Sequence, residues 1–275
     1  MDGSNGAEVD SLSSYFDRQA SVWRAMYADH PGVYASIQRQ RREWVLGVIR
    51  ELQLPTDTLA LEVGIGSGNL AVALARDRLK IMGVDLSSSM LELTRQAARR
   101  EGVAGRISVL LADGSRLPFQ DNEFQVVIAI GVIPWVANAR QLLAELCRVV
   151  APSGHLVITA DNDRRLPYLF DPRFNPWLSK PRRAAGALVR RGAPRRAVIR
   201  GISRSQFHLM LTESGLEIRR TYPLGFGPFT FLGQPLLTER LGHLLNAQLQ
   251  RSACRGGSAL PETACQHLVL ARSRA

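Results

Sequence analysis

"LEVGIGSGNL", residues 61–70, follows an apolar run and sets Gly64, Gly66 and Gly68 at every second position, with Glu62 two residues ahead of the first. Glycine weakens a strand interior, so this spacing needs a reason. Either the backbone turns sharply, or a ligand comes very near it. A glycine-rich turn between a strand and a helix is where open α/β sheets bind nucleotides, with the helix N-terminus offering free N–H groups. Two ligand classes compete for it. The dinucleotide fingerprint wants a glycine at its sixth position, where this chain has Asn69. A carboxylate beside the turn repels a pyrophosphate, but it suits a ligand carrying ammonium and sulfonium charges.

The surrounding pattern agrees with a strand–turn–helix reading. Short apolar runs at 58–65, 80–86, 106–113, 124–133 and 154–161 are bounded by turn residues. They alternate with helical stretches, "GNLAVALARD", "SSSMLELTRQAARREG" and "ANARQLLAELCRVV". Such alternation predicts an α/β fold with helices on both faces of a doubly wound, mostly parallel sheet. Residues 11–54 are helical by period, with Ile37, Trp44, Val45, Val48, Ile49 and Leu52 at three-to-four spacing and a break at Pro31–Gly32. A further helix is expected at 203–216, capped by Ser203 or Ser205 and ended by Gly215, and another in "PLLTERLGHLLNAQLQR". "LEIRRTYPLG" and "CQHLVLARS" read as two final strands.

S-adenosylmethionine carries the charges that Glu62 suits. Asp85 ends the second strand in "GVDLS", where a carboxylate can take both hydroxyls of a ribose. In "LLADGSRLPF" (110–119) the third strand ends in Asp113, a short acid that can read an adenine amine with its neighbouring backbone, Ala112 and Gly114. With "LEVGIGSGNL", "VDLSSSML" and "LCRVVAPSGHLVIT", the chain resembles the class I S-adenosylmethionine-dependent methyltransferases. The likeness is nearest their small-molecule branch of quinone, porphyrin and natural-product enzymes, and covers about residues 15–161. It implies that Glu62, Gly64, Gly66 and Gly68 hold the methionine portion of the cofactor and Asp85 its ribose. It implies also that Leu86 and Met90 flank the adenine, and that Ile130 and Gly131 line the cofactor near its methyl. The family often has Asp directly after the Phe opening the fourth strand; here that position is Gln125. The resemblance implies seven strands with the last in sequence antiparallel to its neighbours. It also implies four regions: a helical lid at 1–54, the cofactor core at 55–161, an Arg/Pro-rich insertion at 162–203, and completion of the sheet at 204–275. The last contains an apolar insertion at 223–252.

The net charge of +11 is confined to one place. Residues 164–204 hold twelve Arg or Lys against a single acid, Asp171, so the rest of the chain sums to zero. A block of this kind suits an anionic ligand or a peripheral membrane contact. It is not the spread basic face of a nucleic-acid protein, and the fourth strand runs into "IGVIPW" rather than a base-flipping Asp/Asn-Pro-Pro-Tyr/Phe motif. A nucleic-acid methyltransferase is therefore the weaker alternative. The opening "MDGSNGAEVD" lacks the basic and apolar regions of a signal peptide, and no run approaches a membrane span, so a cytoplasmic setting is expected. Cys147, Cys254 and Cys265 are too scattered for a disulfide framework or a metal site. No metal is expected.

Methyl transfer from a sulfonium asks for in-line placement and exclusion of water. A small hydrophobic acceptor, with oxygen the favoured atom, is the expected substrate. His30, His155, His208, His243 and His267 are the imidazoles available as a base, and none stands out. Tyr15, Trp23 and Tyr27 at helical spacing fit either a lid or a core. A scaffold that binds the cofactor without methylating, or a cyclase reusing the fold, is the remaining alternative.

Overall fold

The structure is a computed structural model that describes residues 3–27, 32–178, 201–255 and 259–274. Its central strands are β1 (Leu59–Val63), β2 (Lys80–Asp85), β3 (Ile107–Leu111), β4 (Phe124–Ala129) and β5 (Val150–Asp161). After them come β6 (Leu216–Leu224), a small hairpin of β7 (Thr230–Phe231) and β8 (Gln234–Pro235), and β9 (Gln266–Ser273). The helices are α1 (Gly3–Tyr27), α2 (Val33–Glu51), α3 (Asn69–Arg76), α4 (Ser88–Arg100), α5 (Ala139–Val149), α6 (Arg204–Glu213) and α7 (Glu239–Arg255).

Seven strands form one sheet in the order β3-β2-β1-β4-β5-β9-β6. β1 to β5 pair in parallel, and β9 lies antiparallel between β5 and β6. The strand order reverses between β1 and β4. In open α/β sheets that crevice, at the carboxyl ends of the strands, is where ligands bind.

The period of two sorts each central strand into two cores. On one face Leu61, Val63, Val127 and Ala129 pack with Leu142, Leu143 and Leu146 of α5 and Phe207 and Leu211 of α6. On the other, Ala60, Val126 and Ile128 pack with Val45 and Ile49 of α2 and Leu70 and Leu74 of α3. Both faces are covered, which is why these strands read as continuous apolar runs.

The structure shifts several predicted boundaries. β4 stops at Ala129 instead of reaching 133, because Gly131 turns with φ +74 and Ile133–Trp135 form a 3-10 turn around Pro134. β5 begins at Val150, before the predicted 154, and a register shift between Phe124 and Val126 accommodates its irregular start at Pro152–Ser153. β3 ends at Leu111, so Asp113 lies in the turn beyond it. Ser203 is the N-cap of α6, its hydroxyl accepting from Gln206 N–H. The apolar insertion at 223–252 resolves into the β7–β8 hairpin and most of α7. Residues 179–200 of the Arg/Pro-rich segment, and His30, lie outside the described residues. Among the described residues no helix is long and apolar enough to cross a membrane.

Candidate active site

Three turns at the carboxyl ends of β1, β2 and β3 build one cavity. In the first, the N–H groups of Gly64 and Ile65 both donate to the Val84 carbonyl, at 2.8 and 3.1 Å, fastening the turn to β2. Gly64, Gly66 and Gly68 all sit at positive φ, +71, +56 and +77. The left-handed region favours glycine at each, but the three positions face different surroundings. A Cβ on Gly64 would stand 2.6 Å from the Val132 side chain, so β4's turn packs directly on that backbone. A Cβ on Gly66 would meet nothing within 4 Å, and would point into open cavity.

Gly68 differs from its expected role. It caps α3, and a Cβ there would lie 2.9 Å from the Thr94 side chain and 3.1 Å from its Cα. Its smallness serves the contact between α3 and α4, and it does not line the cavity. Thr94 then returns to the turn, its hydroxyl donating to the Gly66 carbonyl at 2.8 Å.

Asp85 organises the second turn. Its Oδ2 accepts from Gly66 N–H at 2.9 Å and its Oδ1 from Ser87 N–H at 3.0 Å. Each carboxylate oxygen keeps a further lone-pair direction for ligand hydroxyls. Burial pushes this carboxyl above its ordinary pKa, and the backbone N–H bonds oppose that. The third turn is tied on through Ala112 N–H, which donates to the Asp85 carbonyl at 3.1 Å. Asp113 shapes it, its Oδ1 accepting from Ser115 N–H at 2.8 Å as an Asx turn. Glu62, Gly64, Gly66, Asp85, Leu86, Met90, Ala112, Asp113, Gly114, Ile130 and Gly131 all line the cavity.

Glu62 is the anomaly of the site. It is 4% exposed, and its Oε2 has no hydrogen-bond partner. Burial first, and then the charge of Asp85, push its pKa up to about 8. A buried carboxyl with an unpaired oxygen beside an open glycine cradle fits a ligand that brings a cation with N–H donors. The residues present therefore fit the methionine end of S-adenosylmethionine at Glu62 and Gly66, and its ribose at Asp85.

α1 covers this cavity from outside. Ser13 Oγ donates to the Leu86 carbonyl at 2.8 Å. Phe16 and Trp23 line the cavity and meet Trp135 with ring centroids 5.0 and 6.3 Å apart. The Tyr15 ring meets Trp135 tilted by 30°, centroids 5.6 Å apart, and the side chain of Tyr27 lies outside the described residues.

The polar side chains in the cavity beyond the expected set include Gln38 and Arg41 on α2, Asp161 at the end of β5, and Gln266 at the start of β9. Arg41 Nη1 donates to Gln266 Oε1 at 3.5 Å, and Gln266 Nε2 donates to Asp161 Oδ1 at 2.8 Å. Asp161 Oδ2 accepts from Arg165 Nη2 at 3.3 Å. The Arg41 guanidinium lies against Gly131, where a Cβ would stand 3.0 Å from Nη1. Gln38 is 1% exposed, and its Oε1 has no partner. The signal was available: Gln38, Arg41, Arg42 and Val45 fall on one helical face, and polar residues there read as solvent-facing.

Among the described residues no histidine lines the cavity. His267 is fully buried in β9, and burial, with Arg204 and His208 nearby, lowers its pKa to about 3. Burial raises the thiols of Cys147 and Cys265 to about 11 and about 12, so neither is a ready nucleophile. The described residues contain no His/Cys/Asp/Glu cluster able to hold a metal.

Comparison with known proteins agrees with this geometry. Residues 61–158 match the family model of a methyltransferase domain. Methyltransferase GfsG of Streptomyces halstedii is 29% identical over 168 residues, 56% of this chain and 60% of that protein. The ubiquinone/menaquinone biosynthesis C-methyltransferase UbiE of Geotalea daltonii is 31% identical over 121 residues, 42% of this chain and 51% of that protein. The chain thus spans about half to three-fifths of the length of these relatives. In fold it is similar to magnesium protoporphyrin IX methyltransferase of Synechocystis PCC 6803, with TM-score 0.66, 16% identity, and coverage of 97% of this chain and 99% of that one. The [4+2]-cyclase SpnF shares the fold at TM-score 0.60 and 18% identity, covering 96% of this chain and 95% of that one. With its glycine turn, its acid-tipped second strand and its antiparallel β9, this chain is similar to the class I S-adenosylmethionine-dependent methyltransferases, the likeness in sequence resting on the methyltransferase-domain match at residues 61–158.

Proposed function

We propose that this protein transfers a methyl group from S-adenosylmethionine to a small hydrophobic acceptor, with oxygen the favoured accepting atom. The observation that carries the reading is Glu62: a buried carboxyl with an unpaired oxygen, next to a glycine whose Cα faces open space. S-adenosylmethionine, when bound, supplies a methyl already activated by its sulfonium. The chain's own residues then hold and orient. Glu62 and the Gly64–Gly66 turn hold the methionine end, Asp85 the ribose, and Leu86, Met90 and the Asp113 turn the adenine. Gly68 supports the glycine turn through its contact with Thr94 of α4.

The acceptor side has an apolar wall of Phe16, Trp23 and Trp135 and a polar edge of Gln38, Arg41, Asp161 and Gln266. That mixture suits an apolar molecule with a few polar groups. The Arg41 guanidinium offers donors to the oxyanion of an acceptor hydroxyl whose proton has already left. Asp161 is the lining carboxylate that the cofactor roles leave unused, and its oxygens hold Gln266 and Arg165 at this edge. α1 excludes water as a lid, and the basic segment at 164–204 receives an anionic or membrane-borne acceptor. Relatives named as C-methyltransferases make carbon the competing accepting atom.

The test is to incubate the protein with methyl-labelled cofactor and a panel of quinols, phenols and acidic carbon compounds, locating the label by NMR. An O-methyl product supports the reading, and a C-methyl product corrects the accepting atom. Tight binding of S-adenosylhomocysteine with no product from any acceptor would replace it with the scaffold or cyclase reading.

A further inference from the structure

Asp171 holds together two segments that lie far apart in sequence. It is 1% exposed, and sits between the 3-10 turns Leu166–Leu169 and Pro176–Leu178 that follow β5. Its Oδ1 accepts from the Arg173 backbone N–H and Nε, both at 3.0 Å. Its Oδ2 accepts from Arg173 Nη2 at 2.9 Å, Thr230 Oγ1 at 2.7 Å and Gly233 N–H at 3.2 Å. Thr230 and Gly233 belong to the β7–β8 hairpin. The Phe170 ring meets Phe229 edge-on, centroids 5.4 Å apart. Asn175 extends the knot, donating to the Leu169 carbonyl at 2.8 Å and accepting from Trp177 N–H at 2.9 Å.

This buried polar knot displays apolar side chains outward. Phe170, Trp177, Leu178, Phe231, Leu232 and Leu236 are all exposed, Trp177 to 79% and Leu232 to 58%. Such a concentration of exposed apolar groups on a rigid frame marks an interaction surface. The charge carried by the same stretch of sequence selects the partner. Residues 164–204, which include half of this platform, carry the chain's entire net charge of +11. A second copy of the chain would set that charge against itself. A single-stranded nucleic acid would stack on the rings but leave the leucines without a role. An anionic lipid surface takes both, apolar tips entering the headgroup boundary and arginines meeting phosphates.

We propose that the face formed by the 166–178 turns and the β7–β8 hairpin docks this protein on anionic lipid. The platform follows directly on Arg165, whose guanidinium bonds the cavity residue Asp161. Docking therefore brings the acceptor side of the cavity to the surface where a hydrophobic molecule would reside. The inference does not depend on which atom is methylated.

The experiment is co-sedimentation of the full chain with vesicles of phosphatidylcholine alone, or of phosphatidylcholine and phosphatidylglycerol in equal parts. At low salt the mixed vesicles are expected to bind about tenfold more tightly, with the advantage shrinking as salt rises. The double variant Trp177→Ser, Leu232→Ser is expected to lose about tenfold in vesicle affinity. Its thermal midpoint and S-adenosylhomocysteine affinity should match the parent, showing that it is folded. Brominated lipid should quench the parent's fluorescence more than that of Trp177→Phe. Absence of vesicle binding, or binding indifferent to the double variant, overturns the proposal. So does displacement of the vesicles by single-stranded RNA, or a dimer that Trp177→Ser dissolves.

Discussion

Asp17 on α1 accepts the Ser87 hydroxyl at 2.6 Å across 70 residues of chain, and the same oxygen takes Ser89 N–H at 3.0 Å. Ser87 is also the N-cap of α4, its Oγ accepting from Met90 N–H at 3.1 Å. One carboxylate thus supplies negative charge to a helix N-terminus and fastens α1 to α4. Asp17→Ala should cost the contact about 1 kcal/mol and speed cofactor release several-fold. Hydrogen exchange in residues 3–27 should rise while the sheet stays protected. The Ser87 hydroxyl chiefly lowers the Asp17 pKa, so the clasp holds above the ordinary carboxylate range and is lost as pH falls through the depressed value. Unchanged exchange in α1 would mean that Asp17 does not hold the lid.

Glu62 gives the opposite pH dependence. Its pKa is raised from 4.5 when unfolded to about 8 when folded, so the ligand-free fold binds the extra proton. Its contribution to stability is complete below about 4.5, and is lost as pH rises toward about 8. Glu62→Gln should flatten that decline in thermal melts. A cationic ligand meets the ionised form, so binding near neutral pH should release a proton. Calorimetry in buffers of different ionisation enthalpy would detect it. Equal heats in all buffers would show that Glu62 does not meet the ligand's charge.

Asp85→Ala should weaken S-adenosylhomocysteine binding by about 2 to 4 kcal/mol, the worth of two charge-assisted hydrogen bonds. Asp85→Asn, which keeps one acceptor oxygen, should lose less. Because Gly66 and Ser87 both donate to Asp85, hydrogen exchange at those amides should rise in the alanine variant. Unchanged affinity in Asp85→Ala would remove the ribose assignment.

Gly66 and Gly68 should fail in different ways. Gly66→Val places its side chain in open cavity space, so cofactor binding should vanish, with only about 1 to 2 kcal/mol lost from the fold. Gly68→Ala drives a methyl into Thr94 and should cost about 1 to 3 kcal/mol of stability. Thermal melts paired with calorimetry separate the two; equal behaviour would contradict the split drawn here.

The glycine turn, Asp85 and the alternation of strands with helices were legible because local chemistry alone requires them. Gly68 was misplaced because three glycines in one turn look alike in sequence, and only the position of Thr94 tells which side each faces. Gln38 and Arg41 escaped notice because a polar residue on a helix reads as solvent-facing until the cavity under it is known. The strand expected to reach 133 ends at Ala129, because "FQVVIAIGVI" stays apolar past the point where Gly131 turns the backbone. Gln266 could not be foreseen at all, since its place depends on β9 entering between β5 and β6.

That entry has a consequence during synthesis. The edge of β5 carrying Leu156, Val157 and Ile158 is covered by β9, and Gln266 lies 105 residues after Asp161. At ordinary translation speeds of about 5 to 20 residues per second, the edge waits about 5 to 20 s for its partner. β6 emerges in the interval, but it also has only β9 to pair with in the sheet. The nascent chain therefore carries an unpaired, largely apolar strand edge for seconds, the condition under which strands pair with other chains instead. Holding chaperones that cover this edge until β9 emerges should therefore raise the yield of folded protein.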